Sequence, residues 1–312
     1  MYKQNKHMLN NNKNPWLRTV PRTPAILLFI ILFSVVFPGL FTDYSTTLAD
    51  LPNRLLPPGT EGHIFGTDTL GRDLFTRVLY GGRVSLLVAA LVLVVSGSIG
   101  LTVAIVAGYL GGKVDALLMR IVDIFLSFPP MLIAIVFAVA FEPGVLTVVT
   151  AISISYWSKF CRVIRADVLQ IKEQEYIALA KVAGCSDLYI MVRHILPNVL
   201  DTFLVVMSLE IGMVIRLEAT LSFLGAGIAP PTPSWGQMVG AGRDYLMNAW
   251  WLSILPGGAL AALIFCFNMI GDWIRDMMDP HLRAVLSVKT EKKRWLKGIS
   301  TSRETITPAN TK

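Results

Sequence analysis

From Val84 to Gly112 the chain runs 29 residues without a charged side chain. Wound as a helix, such a stretch rises about 43 Å, more than the roughly 30 Å hydrocarbon thickness of a bilayer. A helix apolar on every side has to be surrounded by other apolar material, which restricts the chain to folds built in a membrane. Trp250 to Gly271 repeats the constraint. Composition agrees, with 54% apolar and only 16% charged residues against about 25% charged in an ordinary soluble domain. A secreted disulfide scaffold, a disordered chain and a typical cytosolic enzyme are thereby excluded.

Within the first run, Gly100, Ala104 and Gly108 recur every four residues. That spacing strips one helix face almost to the backbone, so the face is expected to pack closely on another helix. Ala25 to Phe41 is a run of 17 uncharged residues, about 25 Å as a helix, and reads as a span rather than a signal peptide because no small-x-small cleavage site follows. Ile121 to Phe141 contains Pro129 and Pro130, and Gly144 to Trp157 follows it across a Glu142-Pro143-Gly144 turn, an expected antiparallel hairpin. Val199 to Leu224 is apolar but carries charges. The expected fold is all-α: a polytopic membrane protein with six transmembrane helices and no soluble domain. The division is a leader over 1–24, a first span over 25–41, an outer loop over 42–83, a core of five helices over 84–272, and a tail over 273–312.

The net charge is +7, yet the 28 Lys and Arg residues avoid the apolar runs and flank them, without aromatic interleaving that would suggest nucleic acid. With the N-terminus inside, the inner segments hold 22 of them and the outer loops 5, with Arg216 inside a span. Both termini are therefore expected to be cytoplasmic.

The chemistry-bearing residues do not assemble into a catalytic or metal-binding pattern. Cys161, Cys185 and Cys266 stand far apart, and His7, His63, His194 and His281 are scattered. Around Gly111-Gly112-Lys113 the first glycine position is Ala107 and Val114 stands where a hydroxyl would be, so there is no phosphate-binding loop. In the Gly66 to Asp73 stretch, Thr67 or Asp68 is expected to cap the following helix, with Arg72 and Asp73 at headgroup level.

Residues 158–198 are the longest inner segment. Glu173 to Ala183 reads as a short helix with Ala180 and Gly184 on one small face, and Gly184 stops it. Ser186 then caps a second short helix with Asp187 in its first turn, expected to end near His194 because Pro197 forbids continuation. Two short helices at an angle would make a protruding knob, or merely a connector. Arg120 and Asp123, three apart, are expected to neutralise each other on one helix face. Glu210, Arg216 and Glu218 lie within a span and are expected to face other helices or line a wet pathway.

The string Tyr176 to Gly184 (YIALAKVAG), followed by Ile195-Leu196-Pro197, resembles the EAA loop of ABC importer membrane subunits. Ala178 stands at that pattern's glutamate and His194 at its isoleucine; a helix-turn-helix needs neither. Further strings resemble the second permease subunit of the dipeptide, oligopeptide and nickel group: Leu55 to Pro58, Phe65 to Asp73 (FGTDTLGRD), Tyr80 to Ser85, Gly108 to Gly112, Met119 to Asp123, Leu221 to Gly225, Pro230 to Gly236 and Asp279 to Leu282. The resemblance implies a type I ABC importer permease fold and no enzyme activity in this chain. It implies a related second permease, two ATPase subunits that use ATP and Mg, and an extracytoplasmic binding protein, all at a prokaryotic cytoplasmic membrane. It assigns Tyr176, Ala178, Ala180, Gly184, Ser186, Asp187, Leu196 and Pro197 to the ATPase-coupling loop. Peptides are the expected cargo, with nickel or a metal chelate as the alternative; outside the family, a secondary transporter is the competing class, against which the absence of repeated halves with broken helices argues.

Overall fold

The computed structural model describes residues 21–278. Most of the leader and the tail from Asp279, with the Asp279 to Leu282 match, His7 and His281, lie outside the described residues. The regular structure among the described residues is helical, with no strand.

Helix α1 (Arg22–Val36) is short and rests on the bundle beside α2 (Leu74–Leu110). α2 starts ten residues before the uncharged run. Its N-cap is Asp73, whose carboxylate accepts from the Thr76 N–H at 2.8 Å, and not Thr67 or Asp68. Those two are used earlier. The Thr67 hydroxyl donates to the Asn53 carbonyl and accepts from the Leu56 N–H, while Asp68 takes the backbone N–H groups of Leu70 and Arg72 and the guanidinium groups of Arg72 and Arg77. At Gly71 the backbone is left-handed (φ +77°), and a Cβ would lie 1.7 Å from the Asp50 carbonyl oxygen, so only glycine closes this turn. The 42–73 segment is thus an ordered cap over one end of the bundle. Trp251 reinforces it, its indole N–H donating to the Thr67 carbonyl, and Trp235 likewise donates to the Val78 carbonyl in the first turns of α2.

Next come α3 (Gly112–Ser127) and α4 (Pro130–Ala140), which meet at 85°. The expected third span is therefore a bent pair. A residue before proline is driven out of the helical region; Phe128 and Pro129 are both extended, and Pro130 restarts the helix in its first turn. Helix α5 (Val145–Lys172) continues far past the apolar run that ends at Trp157. The small face of α2 lies against it: a Cβ on Gly100 would come within 2.6 Å of Phe160 Cβ and of the Trp157 carbonyl, and one on Gly108 within 2.6 Å of Val168, while Ala104 between them is wholly buried. The close approach expected of this stripe is to α5.

The second half of the 158–198 segment departs from expectation. α6 (Glu175–Val182) and α7 (Asp187–Ile190) are present, but α7 passes through a π-helical stretch, Met191–Ile195, straight into α8 (Leu196–Phe223). Pro197 does not stop the helix. The carbonyl its ring would strike belongs to Arg193, which lies in the widened stretch, so the defect is absorbed there. Finally α9 (Trp235–Gly242) packs on α8 and on α10 (Trp251–Met278). Among the described residues three helices are long and apolar enough to cross a membrane, Leu74–Leu110, Asp187–Phe223 and Trp251–Met278, with the bent pair as a fourth if it counts as one. The main core joins Val88 and Val92 of α2, Ile152 and Phe160 of α5, Ile215 and Leu221 of α8, and Leu263 of α10.

Candidate functional site

Two constellations stand out, one at the end of the bundle away from the 42–73 cap and one in the middle of the helices. The first is the knob. α6 ends in a Schellman turn: the Cys185 N–H reaches the Ala180 carbonyl at 3.1 Å, the Gly184 N–H reaches Lys181 at 3.0 Å, and Gly184 is left-handed at φ +80°. The Ser186 hydroxyl accepts from the Tyr189 N–H, capping α7 as its sequence suggests.

Ile177, Ile190 and Ile195 anchor the knob. All three are fully buried, in a second core shared with Ala104 and Tyr109 of α2 and with Ile164 and Val168 of α5. Tyr109 adds a polar latch, its hydroxyl donating to Asp187 at 2.6 Å while Lys181 lies over its ring at 5.1 Å. The outward side is unusually apolar for a loop: Leu179 is 68% exposed and Val182 87%, with Tyr176, Leu188 and Tyr189 beside them. Ala178, Gly184, Ser186 and Pro197 are likewise exposed, while Ala180 and Leu196 are half-buried. The residues expected to form a coupling loop thus share one protrusion. Sequence reading missed the three isoleucines and Tyr109. Tyr109 sits in the GYLGG string, but the partner of its hydroxyl lies 78 residues away.

The second constellation is a cavity of about 220 Å³ lined by Lys159, Leu209, Glu210, Gly212, Met213, Arg216 and Asn268. Glu210 is doubly engaged, accepting from the Tyr156 hydroxyl and pairing with Lys159 Nζ at 2.7 Å. Arg216 is exposed on the same side and touches the Met213 sulfur. Glu218 is elsewhere. It is fully buried and accepts from the Ser222 hydroxyl at 2.8 Å, so it belongs to the packing of α8. Of the three charges in this span, the structure brings Glu210 and Arg216 together and separates Glu218. Lys159 was missed, although Tyr156 and Lys159 are three apart and share a helix face.

The expected Arg120–Asp123 pair is not formed. Asp123 pairs with Arg162 of α5 instead, and Asp115 takes Arg165 of α5 in a two-pronged pair with 2.6 and 2.5 Å contacts. These pairs clamp α3 to α5, a use of both carboxylates that leaves Arg120 aside.

A family model described as binding-protein-dependent transport system inner membrane component matches residues 100–284, a span holding both the knob and the cavity. The chain belongs to this family. Its relatives include a putative peptide transport system permease protein of Brucella suis biovar 1, 41% identical over 84% of this chain and 88% of that protein. A probable D,D-dipeptide transport system permease protein of Escherichia coli is 38% identical over 83% and 86%. The dipeptide transport system permease protein of Bacillus subtilis is 37% identical over 83% and 80%. A solved inward-facing methionine ABC transporter superposes with a TM-score of 0.53 at 18% identity, covering 65% of this chain and 97% of that one, a likeness of fold alone. The chain is thus a multi-pass membrane component of a transport system.

Proposed function

We propose that this chain forms half of a peptide-conducting pathway through the cytoplasmic membrane of a prokaryote, and that the 175–197 knob receives an ATPase. The carrying observation is the knob itself, a rigid protrusion with its own buried anchor and an exposed apolar side. An exposed apolar patch rimmed by polar groups is an interaction surface. The peptide transport permeases among the relatives favour peptides over nickel as cargo.

In this reading a related permease completes the pathway, two ATPase subunits dock beneath with their ATP and Mg, and an extracytoplasmic binding protein delivers the cargo. The chain crosses the membrane six times with both termini inside, which places the 42–73 cap outside and the knob inside. Closing of the ATPase pair on ATP carries each knob with it and tilts the helices until the cavity faces outward; hydrolysis reverses the change. The test is peptide uptake by the complete complex in proteoliposomes with the binding protein present. Uptake should require ATP and all four membrane-associated subunits. Uptake driven by an ion gradient without ATP would place the chain among secondary transporters.

A further inference from the structure

The mid-helix cavity holds two cations and one anion. Glu210 is satisfied at both oxygens, by Lys159 Nζ at 2.7 Å and by the Tyr156 hydroxyl. That leaves Arg216 over. Its contact is the thioether sulfur of Met213, one turn away on the same helix, and among the described residues no carboxylate pairs with it. A guanidinium has five donors in a planar fork that matches a carboxylate, and a thioether is a weak acceptor. A charge of this kind is too costly to leave against lipid. Asn268 of α10 forms the wall opposite α8, close enough that a Cβ on Gly212 would lie 2.4 Å from its side-chain oxygen.

We propose that Arg216 is a transient binding point for the terminal carboxylate of a peptide in transit, with the Lys159–Glu210 pair and Asn268 shaping the cavity around it. This rests on the peptide-importer reading above and deepens it. The surplus positive charge favours an anionic group and disfavours a bare metal cation. Lys159 is already occupied by Glu210, so the planar, two-pronged contact falls to Arg216. The main rival occupant is a carboxylate on the second permease subunit.

The experiment uses the complete complex in proteoliposomes with ATP. The probes are trialanine with a free carboxylate and trialanine amide, each at a concentration shown to saturate the binding protein. The parent should import the free acid roughly tenfold faster than the amide, as expected for one charge-assisted contact. Arg216→Gln should slow the acid to the amide rate with the second permease still co-purifying; Arg216→Lys should recover part of the difference. Equal rates for acid and amide in the parent would overturn the proposal whatever the variants do. So would equal slowing of both probes in Arg216→Gln, or loss of the second permease on co-purification, which would make that subunit the owner of the partnering carboxylate. A parent complex that carried neither peptide would sink the importer reading itself, before any variant is made.

Discussion

Gly184 separates the cost of folding the knob from the cost of using it. Its left-handed backbone (φ +80°) makes any side chain unfavourable there by about 1–2 kcal/mol. Among the described residues nothing further is added, because no atom beyond its chain neighbours lies within 4 Å of a Cβ built at that position. The anchor of Ile177, Ile190 and Ile195 is untouched. Gly184→Ala and Gly184→Glu therefore share the same backbone penalty inside this subunit, and differ in what the longer, charged side chain presents to a partner. Both variants should insert with parental abundance, measured by membrane immunoblot. Gly184→Ala should retain most ATPase co-purification and uptake. Gly184→Glu should lose most of both, since it buries a charge in an apolar contact. If the two variants bound the ATPase and transported peptide alike, no partner would approach this turn, and the knob would be a connector.

Gly100→Leu should destabilise the isolated protein by about 3 kcal/mol or more, the upper end for overpacking, because its Cβ would meet both Phe160 and the Trp157 carbonyl at 2.6 Å; an unchanged thermal unfolding midpoint in detergent would show that α2 and α5 do not meet there. Tyr109→Phe removes the hydroxyl that holds Asp187, worth about 1 kcal/mol at this partly exposed position; peptide imported per ATP hydrolysed should fall while abundance stays level, and an unchanged ratio would mean the latch carries no motion. For orientation, Cys185 is first replaced by serine, since Cys161 and Cys266 are buried and Cys185 is not. A membrane-impermeant thiol reagent on intact cells should then label Met247→Cys, where the native side chain is 96% exposed, and spare Val182→Cys; the opposite pattern would invert the topology.

What was legible in the sequence follows from the range of each interaction. The Gly100, Ala104, Gly108 face, the cap at Ser186 and the stop at Gly184 depend on residues within a turn or two, and the structure has them. Pairing across helices was not legible. Asp123 has Arg120 three residues away and takes Arg162 on another helix, because α3 packs on α5. Lys159 meets Glu210 for a similar reason, and the apolar surroundings of both hide any periodicity that would show which face is wet. The local rule for Pro197 failed because it assumes an ordinary α-helix on either side, whereas a π stretch precedes it.

That continuity has a mechanical consequence in the proposed cycle. One unbroken helix, Asp187–Phe223, carries the latch residue Asp187 at one end and Glu210 and Arg216 farther along. α5 supplies both Ile164 and Val168 to the knob's buried anchor and Lys159 to the cavity. Asp187 and Arg216 are 29 residues apart, about 43 Å along a helix, so a tilt of about 10° about the knob shifts Arg216 sideways by roughly 7.5 Å. A displacement of that size would open or close a cavity of about 220 Å³. Had Pro197 ended the helix, a push on the knob would be lost in the loop. With the π stretch absorbing the proline, the push reaches the charges that line the cavity.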